Sequence, residues 1–407
     1  MKYKLLAAVA CAAPIAFAYP AYAAAGDPVK ISDDLTIDPI IDGRLRYETV
    51  DQPTMDADAL TMRVRAGAEA KMHRLSLLVE AEGTLAMLDH YNDTNPGNGV
   101  EPYSLVADPE NIELNRLQLQ FKGDSSSVIL GRQRINIDDQ RWVGSVGWRQ
   151  NEQTFDAVQG EAKVGPVTLS GTYSWSQRSI FGIDSGPKQA YSGHFYFAGA
   201  AMKVGPVNVK GFAYLLDYNN AEALLSKSSQ TYGLRATTAF DLTPKVKLNL
   251  TGSYAHQSDY KDNTADFSVD YAAAEAGLSY AGFTFTGGYE LLGSDGTFAL
   301  QTPMATLHKF NGWADLFLNT PAAGLQDIYV GAAYDFKALN LLPGLKADVT
   351  WHKFDSDFGD LEYGSEWDAS LGFKLGPVAI LGKYANYNAK GFGTDTEKFW
   401  LQAEFKY

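Results

Sequence analysis

Arginine is the residue type whose spacing in this sequence most clearly suggests chemistry. Ten of the twelve arginines lie before residue 150, and six of these form three Arg-x-Arg pairs. A guanidinium group presents a planar fork of donors that matches carboxylate and phosphate groups. The pattern therefore suggests a surface that binds anions. The ten arginines are Arg44, Arg46, Arg63, Arg65, Arg74, Arg116, Arg132, Arg134, Arg141 and Arg149.

Both members of each Arg-x-Arg pair share one face if the chain is extended there, because side chains alternate between the two faces of a strand. The residues between them are Leu45, Val64 and Gln133. In a membrane barrel a charged pair facing lipid would be strongly unfavourable, so we predict that the arginines face the lumen and the intervening residues face outward. Same-face side chains lie about 6.8 Å apart, which suits a file of anionic groups.

Internal neutralisation is the alternative role for these arginines. Glu69, Glu80 and Glu82 also point inward on the second and third predicted strands, and Asp42 and Glu48 do so on the first. Cross-strand ion pairs would then brace the barrel without selecting a solute. A lumen can do both.

Strands must position these side chains, since the hydrophobic period beyond residue 38 is two. Leu117, Leu119 and Phe121 alternate with polar residues, for example. The candidate segments are about 10–13 residues long, as a tilted strand that crosses a membrane requires. There are eighteen: 39–50, 59–70, 75–88, 111–122, 127–136, 152–163, 167–178, 191–203, 207–218, 229–240, 245–257, 267–280, 283–291, 325–336, 344–355, 363–374, 378–388 and 396–407.

Connection lengths indicate which kind of sheet these strands form. Val164-Gly165-Pro166, Val204-Gly205-Pro206 and Leu375-Gly376-Pro377 are tight turns. The longest of the other connections reach about 20–30 residues, an asymmetry typical of outer-membrane barrels with short periplasmic turns and long external loops. The longest, 293–321, contains several apolar side chains, and we expect it to fold over or into the barrel mouth.

The end of the chain favours the same class. Phe399, Leu401, Ala403, Phe405 and Tyr407 alternate with polar residues up to a terminal aromatic. A terminal strand needs a partner, and pairing with segment 39–50 would remove both edges of the sheet.

The sequence therefore predicts an all-β fold, a transmembrane antiparallel β-barrel of about eighteen strands of the Gram-negative outer-membrane type. A water-facing β-sandwich is the alternative, but it has no use for eighteen long strands. Aromatic residues near strand ends are expected to form the belts at the membrane surface. These are Trp175, Tyr191, Tyr218, Trp351, Tyr387 and Trp400.

Residues 1–23 are predicted to be a cleaved signal peptide, with Lys2 and Lys4 before an apolar run and a small-residue site at 21–23. Residues 24–407 would then form a single outer-membrane barrel domain. The only cysteine leaves with the signal, which excludes disulfides in the mature chain. A net charge of −14 argues against nucleic-acid binding, which requires a strongly basic surface.

Catalytic and metal-binding motifs are absent from the sequence. It contains no HExxH, CxxC, GxSxG, P-loop or GxGxxG, and the six histidines have no metal-ligand spacing. We therefore predict no catalytic residues, no metal, no cofactor and no enzymatic activity. One exception stays open, because a barrel-embedded hydrolase needs only a serine and a histidine that face each other on neighbouring strands.

A longer run resembles a known family. Leu130-Gly131-Arg132-Gln133-Arg134-Ile135 is followed by Asp138-Asp139-Gln140-Arg141-Trp142-Val143-Gly144 and by Gly147-Trp148-Arg149-Gln150-Asn151-Glu152-Gln153-Thr154-Phe155-Asp156-Ala157. This strand, inward loop and strand resembles the alginate-export family of outer-membrane porins. The resemblance implies an eighteen-stranded monomeric barrel, a long early external loop at 89–109 and an arginine-rich constriction for anionic polyuronate. This sequence departs from the alginate exporter at residues 375–377, where it has a short turn in place of a long plug-like loop.

Together these features predict an outer-membrane channel that passes anionic saccharides. Its partners would be an anionic polysaccharide or small anionic solute, and the surrounding lipid and lipopolysaccharide. Passive uptake of sugars or organic acids is the alternative, and a barrel-embedded enzyme or an adhesin is a further one. The predicted pore-lining and substrate-binding residues are Arg44, Arg46, Arg63, Arg65, Glu80, Glu82, Arg116, Arg132, Arg134, Asp138, Asp139, Arg141 and Arg149.

Overall fold

The protein is described by a computed structural model over residues 28–95, 102–219, 224–339 and 341–407. The predicted signal peptide lies outside the described residues. Strands account for most of the described chain, and the few helical segments are short 3-10 turns. The strands are β1 (Val29–Lys30), β2 (Leu35–Gln52), β3 (Met55–Met72), β4 (Leu75–His90), β5 (Asn111–Lys122), β6 (Ser126–Gln133), β7 (Thr154–Val164), β8 (Val167–Arg178), β9 (Ala190–Val204), β10 (Val207–Tyr218), β11 (Ser229–Thr243), β12 (Val246–Asp259), β13 (Ser268–Tyr280), β14 (Phe283–Leu292), β15 (Leu325–Asp335), β16 (Lys346–Asp355), β17 (Glu362–Leu375), β18 (Val378–Ala389) and β19 (Thr396–Lys406).

Strands β2 to β19 form one closed antiparallel barrel of eighteen strands. Each strand pairs with the next, and β19 pairs with β2 to close the sheet. Lys406 lies opposite Asp42, and beyond this pair the Tyr407 N–H donates to the Ile41 carbonyl at 2.8 Å. The two-residue strand β1 only adds to the start of β2. The predicted fold class, strand count and closing pair are confirmed.

The two ends of the barrel differ as predicted. At the end that holds the first residues of β2 and the last of β19, most neighbouring strands are joined by two or three residues, and only the connection 336–345 is longer. At the other end, residues 53–54 form a tight turn and all the other connections are longer. By the usual asymmetry of outer-membrane barrels, this second end is the external one. The external loops that shape the lumen are 134–153, 293–324 and the described parts of the connection 91–110, residues 91–95 and 102–110.

Glycine followed by proline builds three of the tight turns. Gly165, Gly205 and Gly376 have φ of 60°, 58° and 60°, a left-handed conformation that costs glycine no steric penalty. Proline at the next position fixes a negative φ, and this combination is the type II′ hairpin turn, whose twist matches that of the flanking strands.

The period of two separates an apolar outer face from a polar lumen. On β5 the side chains of Leu117, Leu119 and Phe121 are 43%, 48% and 43% exposed, while Gln118 and Gln120 between them point inward. Apolar groups at this exposure are unfavourable in water but suit hydrocarbon. No helix among the described residues is long and apolar enough to cross a membrane.

Four of the six aromatic residues predicted for the belts lie inside the barrel instead. Trp175 and Trp351 are on the outer face, where Trp351 lies opposite the exposed Trp367. Those inside, each at most 7% exposed, are Tyr191, Tyr218, Tyr387 and Trp400. The reason is the strand period, since Trp400 sits between the outward Phe399 and Leu401.

Deletion of residues 405–407 tests the closing pair. It removes the last two register pairs of β19 with β2 and both hydrogen bonds between Tyr407 and Ile41, which leaves an unpaired edge in a medium that cannot hydrogen-bond it. We expect the truncated chain to fail to give the compact, heat-modifiable band of a folded barrel on gels. Phe399→Ala, which removes an outward aromatic but no backbone pair, is the control and should assemble. Normal folding of the truncated chain would contradict this account.

Candidate functional site

The arginine pairs of β2 and β3 face the lumen side by side. Arg44 on β2 lies directly opposite Arg63 on β3, and all four arginines of the two strands are at most 4% exposed. Val64, between Arg63 and Arg65, is 43% exposed on the outer face. The strand period therefore positions these two pairs as the sequence predicted.

Carboxylates of β2, β4, β19 and the loop 134–153 pair with the arginines on β3. Arg63 binds Asp42, and its Nη2 lies 3.2 Å from Glu404. Arg65 binds Glu82 and lies 3.4 Å from Glu152. Both arginines and three of their four partners are buried, and Asp42 is 14% exposed. Burial removes most of the screening that water provides, so these ion pairs brace the wall.

The next strands repeat this arrangement around Glu80. Arg116 on β5 donates to both oxygens of Glu80, at 2.8 and 2.6 Å. Arg134 also contacts Glu80, at 3.2 Å, and binds Glu152. Burial raises the pKa of Glu152, but the nearby Arg134 and Arg65 outweigh it and hold that pKa at about 2. The carboxylate is therefore a permanent anchor for both arginines.

The arginines of β2 draw the loop 134–153 into the lumen. Arg44 donates to the carbonyls of Gly147, Trp148 and Arg149 at 3.0, 2.8 and 3.0 Å. Arg46 donates to the Trp148 carbonyl as well, and its guanidinium lies 4.1 Å from the centre of the Trp148 ring. Backbone carbonyls of one loop thus satisfy charged donors of the wall.

The loop's own arginines reach back to the wall. Arg149 lies 3.0 Å from Glu48 on β2 and 3.0 Å from Asp315 in the loop 293–324. Arg141 lies 2.8 Å from Glu290 on β14 and is 3% exposed. Ion pairs therefore tie loop 134–153 to two separate parts of the wall, β2 and β14.

The loop 293–324 also lies inside the barrel, as expected from its apolar residues. Its Asp315 accepts from Arg149 and from Lys398 on β19, both at 3.0 Å, and contacts His308 at 2.7 Å. Burial raises the pKa of Asp315, but His308, Lys398 and Arg149 hold it well below its usual range. One carboxylate thus joins two loops and the wall.

A buried lysine on β18 forms the centre of this packing. The Lys383 ammonium lies 4.1 Å from the Trp148 ring centre, 3.5 Å from Trp313 and 2.8 Å from His308 Nε2. Burial lowers the pKa of His308 well below its ordinary value, so the ring is neutral and can accept from the ammonium. Trp400 encloses the same ammonium at 5.3 Å. Both loops are therefore packed around one cation.

Arg132 departs from the prediction, because it faces outward. It lies opposite Leu117, which is exposed to the outer face, and donates to both oxygens of Asp156 at 2.8 and 3.0 Å. Gln133, predicted to face outward, is buried inside at 1% exposure. Arg134 reaches the lumen only because β6 ends at Gln133, so the period of two no longer governs it.

Two accessible cations were missed by the sequence analysis. Lys210 on β10 lies 2.7 Å from Asp138, and Arg235 on β11 binds Asp139. Asp138 and Asp139 were predicted as site residues, and the structure places them in this contact across the lumen. All four side chains are between 18% and 30% exposed, in contrast to the buried arginines of β2 and β3. Lys210 and Arg235 are each the only inward cation on their strand, and the sequence analysis did not single out isolated inward cations.

Further lysines line the same side of the lumen towards the short-turn end. Lys163, Lys203 and Lys247 occupy inward positions on β7, β9 and β12 and are exposed. None of the three has an ion-pair partner among the described residues. With Lys210 and Arg235 they form the accessible basic face, on strands β7 to β12. Two inward carboxylates lie towards the short-turn end of the same strands, Glu161 on β7 and Asp241 on β11 directly opposite Lys247, so cations outnumber them five to two.

Comparison with known proteins adds a family and a fold. A family model described as alginate export matches residues 44–294. The search of curated proteins gave no match. Among solved structures, Acinetobacter baumannii OccAB4 has a TM-score of 0.71 at 14% identity, covering 91% of this chain and 98% of that one. Pseudomonas aeruginosa OccK2 (OpdF) in complex with glucuronate has 0.69 at 14%, covering 91% and 97%. Pseudomonas aeruginosa OpdK with vanillate has 0.69 at 13%, covering 91% and 98%. At these identities the similarity shows the fold.

Asp315→Ala tests whether ion pairs hold the loops in the lumen. It leaves Arg149, Lys398 and His308 without their shared carboxylate, and breaking a buried pair costs about 3–5 kcal/mol. We expect loop 293–324 to loosen and the single-channel conductance in planar bilayers to rise. Asp295→Asn removes one carboxylate charge from an exposed site in the same loop, keeps the Oδ1 that accepts from the Thr297 and Phe298 N–H groups, and should leave the conductance unchanged. Equal conductance for both variants would show that Asp315 does not hold the loop.

Proposed function

Because the chain belongs to the alginate-export family and folds as an outer-membrane porin, we propose that it passes anionic saccharides of the size of a uronate monomer or short oligomer. The proposal rests on the accessible basic face of β7 to β12. A narrow lumen with fixed cations on one wall attracts anions and repels cations. The overall charge of −14 has the opposite sign, but local charges govern permeation.

The buried arginines have a different part in this proposal. Arg63, Arg65 and Arg116 each have carboxylate partners at hydrogen-bond distance, and their side chains are 0%, 5% and 15% exposed. A solute carboxylate would have to displace those partners, which is unfavourable. These arginines therefore brace the wall, while Arg44 and Arg46 hold the loop 134–153 where it narrows the passage.

The narrowed passage and the accessible cations meet at Asp138 and Asp139. The loop that carries them is fixed to β2, and their carboxylates lie against Lys210 and Arg235 on the opposite wall. These pairs are partly exposed, so water and a passing carboxylate can compete for them. A solute would exchange with Asp138 and Asp139 for the cations, and then move on to Lys203 and Lys163.

The structural relatives support small carboxylates as the solute class. Two of the similar solved structures are of complexes, OccK2 (OpdF) with glucuronate and OpdK with vanillate. Both ligands carry one carboxylate, the group that Lys210 and Arg235 would bind. We therefore place a monomeric uronate before a long polymer, and the direction of transport follows the gradient of the solute.

Export of a polyuronate is the second candidate function, and the family match favours it. A polymer would follow the same basic face, with successive carboxylates on Arg235, Lys210 and Lys203. The two candidates differ in how the channel responds to the length of the solute. They share the expectation that the protein acts as a monomer surrounded by lipid and lipopolysaccharide.

The double variant Lys210→Ala, Arg235→Ala tests the basic face. Removing two accessible lumenal cations should move the reversal potential in a salt gradient towards cations and weaken the current block by glucuronate about tenfold or more. Arg132→Ala, Lys353→Ala removes two cations from the outer face instead and is the control matched in charge. If both double variants shift selectivity equally, or if the wild type already prefers cations, the proposal is wrong.

The length of uronate oligomers separates the two candidate functions. In planar bilayers, we expect glucuronate itself to interrupt the current and oligomers of two to four units to give blocks of similar duration, because the loops limit how much of a chain enters. Block durations that rise steeply with each added unit would favour polymer export, since each unit then adds a contact along the basic face.

A further inference from the structure

Three polar side chains on the outer face of the barrel form a chain of hydrogen bonds. His256 on β12 lies directly opposite Asp270 on β13, and Ser268 is two residues before Asp270 on the same face of β13. His256 Nδ1 is 2.9 Å from Asp270 Oδ1, and the Ser268 Oγ is 3.3 Å from His256 Nε2. We call these residues the outer triad.

The order of the contacts is that of a serine nucleophile, its base and an orienting acid. Because the Asp270 carboxylate can only accept, the His256 Nδ1 atom carries the proton and donates it. Nε2 is then free to accept from the Ser268 hydroxyl. Tyr254 donates to the same Asp270 oxygen at 2.7 Å and fixes the carboxylate. Two strands of a rigid wall therefore hold all three groups.

The outer triad is open to molecules outside the barrel. The side chains of His256 and Asp270 are 48% and 53% exposed, and Ser268 is exposed as well. The ladder of β13 with β14 ends where Tyr271 lies opposite Leu292. The backbone N–H of Ser268 thus faces no paired strand on that side, which leaves it as a donor for an oxyanion beside its own hydroxyl.

Its height on the barrel indicates what it would meet. On the same two strands, Leu250, Tyr254 and Leu278 are outward, exposed and nearer the short-turn end, so they lie within the apolar band. The polar external loop 260–267 lies on the other side of the outer triad. The three residues therefore sit at the outer edge of the apolar band, the level at which lipid head groups join their acyl chains.

We infer that Ser268, His256 and Asp270 form an esterase site for fatty-acyl esters of amphiphiles in the outer leaflet. The Ser268 oxygen bonds to the acyl carbonyl carbon while its proton passes to His256 Nε2. The ester C–O bond then breaks, and the alcohol leaves with that proton. Water repeats the steps in the acyl-serine, releasing a fatty acid and the free enzyme. Asp270 is a positioning residue for the imidazole. This activity is independent of the lumen and of the transport proposed above.

Reaction with a fluorophosphonate probe tests the nucleophile directly. The full chain, folded in detergent micelles, is treated with the probe, and modified peptides are mapped by mass spectrometry. We expect covalent modification at Ser268, and a loss of about a hundredfold or more in its rate in His256→Ala. Asp270→Asn should slow the modification, and Asp270→Glu should restore part of it, while both variants keep the compact, heat-modifiable band.

Ester hydrolysis tests the activity and its substrate. A chromogenic fatty-acyl ester in the same micelles, glycerophospholipid vesicles and lipopolysaccharide are supplied in separate arms, and released fatty acid is measured. Hydrolysis should fall about a hundredfold or more in Ser268→Ala. Ser258→Ala, at the serine directly opposite Ser268, is the control and should hydrolyse like the wild type. No modification at Ser268, or equal hydrolysis by Ser268→Ala and Ser258→Ala, would overturn the proposal. Ser268→Ala should keep the conductance of the wild type, which separates this test from that of transport.

Discussion

The pairing of every backbone N–H and C=O within the lipid is the constraint on which the rest of this structure depends. A sheet meets it only by closing on itself, which here requires β19 to pair with β2. Closure leaves each side chain one of two environments, hydrocarbon or lumen. Most of the charged side chains on the strands consequently face the lumen of an eighteen-stranded barrel. Like charges repel each other there and need partners of the opposite sign.

Loops supply much of that balance. The carboxylates of Asp108, Glu152 and Asp315 come from three different external loops, and each lies against arginines. Backbone carbonyls around Trp148 satisfy further guanidinium groups. The loops that narrow the lumen are therefore fixed by the same charges that the barrel wall had to bury. The opposite wall keeps accessible cations, since loop carboxylates reach only Lys210 and Arg235 there.

The strand period made the fold and part of the site predictable from sequence. It located all eighteen barrel strands, and it predicted the inward direction of the arginines on β2 and β3, because those strands are regular over their full length. The prediction failed for Arg132 because it placed every arginine pair in the lumen, whereas the period itself puts Arg132 on the outer face with Val128 and Leu130. It could not show that Asp315 would meet Arg149, since that contact spans 166 residues. The sequence also shows no pattern that distinguishes Lys210, a lone inward lysine, from lysines on other strands.

The contrast between enclosed and accessible charges divides the molecule by its response to ionic strength. Screening acts over about 10 Å at 0.1 M salt and about 3 Å at 1 M, but it acts through water. The side chains of Arg63 and Arg65, at most 5% exposed, and their carboxylate partners, at most 14% exposed, lie largely out of its reach. Salt does screen the exposed side chains of the basic face, which are Lys163, Lys203 and Lys247. In concentrated brine the passage would therefore keep its shape but lose its preference for anions. A channel that selects by charge at low ionic strength would then select by size alone.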